Sequence, residues 1–226
     1  MRIRAALSAL ALAGFGLVGT LDMSAQQGAN IEGRVEIGVP ISTKRPTSTY
    51  SRSVPGAKLA PMSELRNVVV YLIDAPTRAM TPVRAEIRQL DETFVPRVVA
   101  VPVGSTVEFP NDDPIYHNVF SLSRVKAFNL GKYPRGQSRS IRFDKPGIVK
   151  MFCEIHSHMS ATVMVFDHPW FAVPTSEGRF ELPAVPPGDR TITAWHERLG
   201  ATTLNLRVEP GRASTADFVL PVPARP

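Results

Sequence analysis

The chain has 226 residues, enough for one large or two small domains around a real hydrophobic core. Its 43% hydrophobic and 20% charged residues exclude wholesale disorder, and 21 prolines with 15 glycines exclude a helical bundle. A single cysteine, Cys153, excludes a disulfide framework, a zinc ribbon and a binuclear thiolate centre, and a net charge of +6 with no dense basic run argues against a nucleic-acid partner.

The chain opens with Arg2 and Arg4, an apolar run from Ala5 to Leu21, and small residues at Ser24-Ala25. That order predicts an export signal over residues 1–25, hence a periplasmic or otherwise exported protein with no stable membrane span after cleavage. An uncleaved anchor is the alternative, for which the run is short.

From there the pattern is short alternating or apolar runs between Pro/Gly turns, which predicts an all-β fold. Asn30 to Ile37 alternates, with Ile31, Val35 and Ile37 on one face. Residues 42–61 are rich in Ser, Thr, Pro and basic side chains and are predicted to form an exposed, mobile loop. Strands are predicted over 65–73, 95–103, 105–109, 138–143 and 148–153, the last entered through the turn Asp144-Lys145-Pro146-Gly147. Further strands are predicted over 162–166, 179–182, 190–195, 204–208 and 215–220.

The chemistry concentrates in Cys153-Glu154-Ile155-His156-Ser157-His158-Met159. In the preceding strand Val149, Met151 and Cys153 share one face, so the thiol projects inward and the loop can curl His156 and Met159 toward it. His117, in Tyr116-His117-Asn118-Val119, can close the set. A cysteine, two histidines and a weak axial methionine make a blue-copper electron-transfer site, because soft sulfur suits Cu(I) and imidazole suits both oxidation states. Cys153 with His117 can also be read as a nucleophile and its base. Asp112-Asp113 hints at a hard-cation site, against which a solvated loop is the plainer expectation. His168 and His196 are expected to pack structurally.

The stretch from about Ala85 to Phe166 resembles a cupredoxin of the amicyanin and plastocyanin type. The resemblance rests on Phe94 to Phe109, on Tyr116-His117-Asn118-Val119, and on Phe143 to Val165 with its Cys-x2-His-x2-Met loop. It implies a Greek-key sandwich over residues 82–167 and one type 1 copper on His117, Cys153, His156 and Met159. It also implies that Asn118 ties the two ligand segments together. His158 is an extra imidazole; used in place of His156 it would resemble a longer ligand loop.

A second resemblance covers the rest. Gly178 to Leu182, Val185-Pro186-Pro187-Gly188 and Thr191 to Trp195 are similar to carboxypeptidase regulatory-like domains, small transthyretin-like sandwiches. Strands of that kind also lie at Ile31 to Val35 and Val68 to Leu72. The expected organisation is therefore a discontinuous sandwich, residues 26–81 and 168–226, with the copper module inserted. A single decorated cupredoxin is the alternative. The expected function is an exported electron carrier, with a copper-handling or envelope-binding sandwich as the second possibility. In the family the loop histidine sits in an apolar patch; Pro114, Ile115 and Met151 or Ala161 are the candidates. Between the ligand segments Arg124, Lys126, Lys132, Arg135, Arg139, Arg142, Lys145 and Lys150 face only Asp144, which suits an acidic redox partner.

Overall fold

A computed structural model describes residues 28–38 and 63–220; the predicted signal at 1–25 and loop at 42–61 lie outside the described residues. Strands run β1 (Ala29–Ile37), β2 (Val68–Leu72), β3 (Arg84–Glu86), β4 (Arg88–Leu90), β5 (Thr93–Val95) and β6 (Val98–Pro102). Next come β7 (Thr106–Pro110), β8 (His117–Ser123), β9 (Lys126–Tyr133), β10 (Ser138–Arg142), β11 (Gly147–Phe152) and β12 (Ser160–Phe166). The series ends with β13 (Phe171–Ala172), β14 (Arg179–Val185), β15 (Gly188–His196), β16 (Gly200–Val208), β17 (Ser214–Thr215) and β18 (Phe218–Leu220). A single 3-10 turn, Glu64–Asn67, precedes β2. The fold is all-β.

Strands β1 and β2 pair only with strands from β13 onward: β1 with β14, β17 and β18, and β2 with β13 and β15, the latter continuing to β16. Strands β3 to β12 pair among themselves, as β6-β12-β11-β8-β9, β10-β7-β3 and the hairpin β4-β5. Three apolar clusters hold these sheets. One, with Ile31, Val70, Leu182, Ile192 and Phe218, fills the space between the β1 sheet and the β2 sheet. Another, with Phe94, Phe109, Val119, Val149 and Val163, lies between the β12 sheet and the β7 sheet. The third joins the two sandwiches: Val69, Tyr71 and Trp195 from one meet Val98, Met164 and Phe166 from the other.

Period-two geometry explains why β2, and β12 from Val163 on, are apolar without alternation. Val68, Val70 and Leu72 enter the first cluster while Val69 faces the junction. Likewise Ala161, Val163 and Val165 enter the second cluster while Met164 and Phe166 face the junction. Both strands are buried on two faces, so hydrophobic continuity replaces alternation. Glycine is required where β1 meets the segment before β18: a Cβ on Gly33 would lie 1.8 Å from the Ala216 carbonyl oxygen.

Two expected boundaries are corrected. The run predicted as a strand over 65–73 stays helical up to Asn67. The run over 95–103 is divided, because β5 ends at Val95 and β6 begins at Val98 after Pro96, which has no N–H for a ladder. Strands β3, β4, β8, β9 and β13 lie outside the expected runs. In β9 only Tyr133 is fully buried, and its lysines, asparagine and glycine leave no apolar alternation to read.

Candidate metal centre

Strands β8 and β11 are neighbours, with Phe120 opposite Phe152. His117 therefore opens β8 at the same end of the sheet where β11 runs out into Cys153. Along β11 the inward phase is Val149, Met151 and then Cys153, all buried, while Lys150 and Phe152 point outward. The following turn closes through the Met159 N–H donating to the His156 carbonyl at 3.0 Å. This brings His156 back toward the thiol and buries Met159 in the same cluster as Cys153.

Three donor atoms converge. His117 Nδ1 lies 3.1 Å from His156 Nδ1, and the Cys153 Sγ is 3.9 Å from the first and 3.8 Å from the second. The point equidistant from them lies about 2.1 Å from each, within the roughly 2.0–2.3 Å of nitrogen and sulfur bonds to a transition metal. Two ring nitrogens and a thiolate aimed at one point are three electron-pair donors, a set that a metal cation between them would satisfy. The residues present fit a metal ion.

The orientation of His117 is fixed from behind. Its Nε2–H donates to Asp113 Oδ2 at 2.7 Å, which leaves the Nδ1 lone pair facing the thiol. Asp113 is buried and is held by the backbone N–H groups of Asp91 and Glu92 at 2.6 and 2.8 Å. The expectation of a solvated Asp112-Asp113 loop is thus corrected at Asp113. Asp112 forms an ion pair with Arg88 at 2.6 Å. Asn111, also unforeseen, shapes this loop by donating to the Ile115 and Tyr133 carbonyls and accepting from the Asp113 N–H.

Asn118 is fully buried. Its Oδ1 accepts from the Glu154 N–H at 3.3 Å, and its Nδ2 donates to Asn129 Oδ1 at 2.8 Å. Asn129 in turn donates to the Glu154 carboxylate at 2.9 Å. The side chain beside one ligand thereby grips the backbone just past another.

Electrostatics favour the ionised thiol. Burial alone pushes it up, but the His117 ring and the N–H groups of Asn118, His156 and Ile155 outweigh this and bring Cys153 down to about 6. Burial likewise opposes a charge on His117, and its bonds to Asp113 and Cys153 prevail, raising it to about 9. Burial opposes the Asp113 carboxylate too, yet His117 and two backbone N–H groups hold it below the usual range.

The other histidines stand apart. His158 is exposed at the rim, 3.6 Å from Glu92, with its ring 6.1 Å from that of His156. His168 packs against Trp170 and Phe166. His196 closes the end of β15, accepting from the Arg198 and Leu199 N–H groups and donating to Glu64. At the surface near the centre, Pro114, Ile115, Tyr116 and Ile155 are exposed. Met151 and Ala161 are buried, at 0% and 1%, because both fall on the inward phase of their strands, which corrects their place in the expected patch. Of the basic residues, Lys126 and Arg142 both pair with Asp144.

No family model and no curated protein matches the chain. Solved structures are similar to part of it. A purple cupredoxin from Nitrosopumilus maritimus is 26% identical over 36% of this chain and 99% of its own, with a TM-score of 0.34. A variant of amicyanin holding Cu(I) is 22% identical over 37% of this chain and 82% of its own, with a TM-score of 0.35. A copper-containing nitrite reductase from Thermus scotoductus SA-01 is 24% identical over 48% of this chain and 27% of its own, with a TM-score of 0.36.

Proposed function

We propose that this chain is an exported, cupredoxin-type electron carrier with one copper held by His117, Cys153, His156 and Met159. The observation that carries the reading is the triangle of His117 Nδ1, His156 Nδ1 and Cys153 Sγ, all within 4.8 Å of one another and supplied by two adjacent strand ends. A thiolate with two imidazoles and a buried thioether nearby selects copper over the hard cations, and over zinc, which prefers four strong donors. Copper in such a set supplies one-electron chemistry between its two oxidation states.

The protein's part is to hold the donors still. Asp113 fixes one imidazole and the Asn118 bridge fixes the loop carrying the other three donors. His117 and Cys153 are both buried, at 0% and 3%, so no open position faces a substrate. The same burial argues against a nucleophilic role. Cys153, His117 and Asp113 do form a Cys-His-Asp relay, but a reacting carbonyl has no approach to the sulfur, and His156 occupies the space beside it. The remaining strands we assign to a discontinuous sandwich, residues 26–81 and 168–226, with residues 82–167 as its guest; the pairing of β1 and β2 with strands from β13 onward supports this. The predicted signal and a redox partner protein, acidic in character, belong to the same proposal.

Loading the purified chain with Cu(II) tests the site. One equivalent should give an intense visible thiolate-to-copper band that bleaches reversibly on reduction, and Cys153→Ser should lack it while keeping a β-type circular dichroism spectrum. A colourless chain that retains only Cu(I) would make it a copper-handling protein instead, and a band that survives in Cys153→Ser would refute the assignment.

A further inference from the structure

Hairpin β4-β5 is a two-stranded unit of its own, bridged at Gln89 to Asn111 just past β7, and it reaches the centre twice. Leu90 pairs with Thr93, so Asp91 and Glu92 are the two turn residues, and they stand at φ +52° and +53°. Both are in the left-handed region, the signature of a type I′ turn and a conformation that glycine or asparagine adopts far more readily than glutamate. That conformation turns two successive N–H groups to one side, and both donate to the Asp113 carboxylate. The Glu92 side chain lies 3.6 Å from His158 on the ligand loop.

We propose, on the basis of the copper reading above, that this hairpin is a clamp that fixes Asp113 as a buried anion behind His117, and that Asp113 thereby sets the redox balance of the centre. Asp113 is a positioning residue: it touches the ligand through Nε2–H and not the metal. Three acceptances, from His117, Asp91 and Glu92, leave its carboxylate no freedom to rotate. A fixed negative charge one ring away from the metal, 4% exposed and so little screened, favours the more positive oxidation state. Reduction adds one electron from the titrating mediator and breaks no bond, so the carboxylate acts on the equilibrium alone. Removing its charge makes the reduced state easier to reach.

The test compares three copper-loaded full-length proteins by redox titration, with the visible band as readout. Asp113→Asn keeps the size of the side chain and removes the charge. It should shift the balance toward the reduced form by about tenfold or more, which is about 59 mV upward for a one-electron couple. Glu92→Gln removes a carboxylate from the same hairpin but a partly exposed one, and should shift the balance less than twofold. A band present in Asp113→Asn with a balance within twofold of wild type overturns the inference and leaves the copper reading intact. An equal shift in both variants also overturns it, since general charge would then explain the effect. Absence of any thiolate band in wild type overturns the copper reading itself. A second measurement does not depend on the variant folding. In the Cu(I) wild type, the His117 Nε2–H should be a slowly exchanging, strongly downfield proton signal. Exchange of that proton as fast as for an exposed histidine would show that Asp113 does not hold the ring, and would overturn the clamp.

Discussion

The two sets of sheets, each enclosing its own apolar cluster, obey the same period-two rule and differ in what they bury. Between the β1 and β2 sheets the core is Val, Leu, Ile, Phe and Ala, with its buried polar groups, such as Asn67 and His196, at the edge. Between the β12 and β7 sheets, one end of an otherwise similar core contains Gln89, Asn111, Asp113, His117 and Asn118, all buried. A buried polar group costs stability unless it is hydrogen-bonded, so a sandwich gains nothing from such a cluster as a fold. The first region shows that an apolar core suffices. The polar end of the second is therefore there to hold the centre, and each variant below breaks or sharpens that contrast.

The largest effect should come from within the polar end. His156→Ala removes one corner of the triangle and should abolish the visible band, whereas His158→Ala removes a rim residue and should keep it. Visible spectroscopy of the two copper-loaded variants decides the matter, and the reverse result would move the ligand to His158. In the apolar sandwich the corresponding loss is one of stability only. Leu182→Ala, at a site with no exposure, should cost about 2–5 kcal/mol. Trp170 sits in that cluster, so urea unfolding followed by its fluorescence reads the loss. The native copper band of the variant should be unchanged. A bleached band before unfolding would show that the centre depends on the far core and would erase the contrast.

A smaller effect comes from the polar edge of the apolar sandwich. A hydrogen bond from His196 lowers the Glu64 carboxyl to about 2, with Arg198 and Asn67 adding to it against the cost of burial. A carboxyl depressed in the folded state contributes stability above its ordinary value of 4.5, and that contribution is lost as pH falls toward about 2. Glu64 is partly open to solvent, so screening leaves about 1–2 kcal/mol of the full linkage. Urea titrations at pH 6 and at pH 3, where about 60% of that contribution is gone, should show wild type losing about 0.6–1.2 kcal/mol more than Glu64→Gln. Equal losses would assign the acid sensitivity elsewhere.

Legibility followed locality. Cys153, His156 and Met159 lie within one turn of chain, and the inward phase of Val149 and Met151 already aims the thiol. Asp113 was misread because its partners come from a hairpin some twenty residues upstream, and that hairpin turns on Asp91-Glu92, which carries no glycine or asparagine signal. Met151 and Ala161 were offered for a surface patch although the phase that points Cys153 inward also buries Met151. Strand β9 stayed hidden because its inward phase is short, Phe128 and Leu130 being only partly buried and Tyr133 alone fully so. Sequence pattern and resemblance together pointed to the cluster of His117, Cys153 and His156; tertiary hydrogen bonds, which no local pattern encodes, carry the support behind it.

The smallest effect tests the surface charge. In the apolar sandwich the basic residues have acidic neighbours: Arg207 with Asp189, Arg212 with Glu209 and Arg34 with Glu36. In the other region, Lys126 and Arg142 share Asp144 at the end of the sheets away from Cys153, and among the described residues no ion pair engages Arg135, Lys145 or Lys150. The unpaired cations of that region predict a positive field on its flank, whose reach to the centre oxidation kinetics measure. Such a field raises the rate of encounter with an anion without altering the transfer step. Oxidation of the reduced protein by hexacyanoferrate, a small anion, should slow several-fold as salt is raised, because screening falls to about 8 Å at physiological ionic strength. A cationic cobalt complex should show the opposite slope. Arg135→Glu should slow the anion by about 2–5-fold at low salt, and Arg212→Glu, which lies in the other sandwich, should leave it unchanged. Identical salt slopes for the two oxidants would mean that the charge near the centre is only a solvated surface, and docking with a protein partner would then rest on the exposed Ile115, Tyr116 and Ile155.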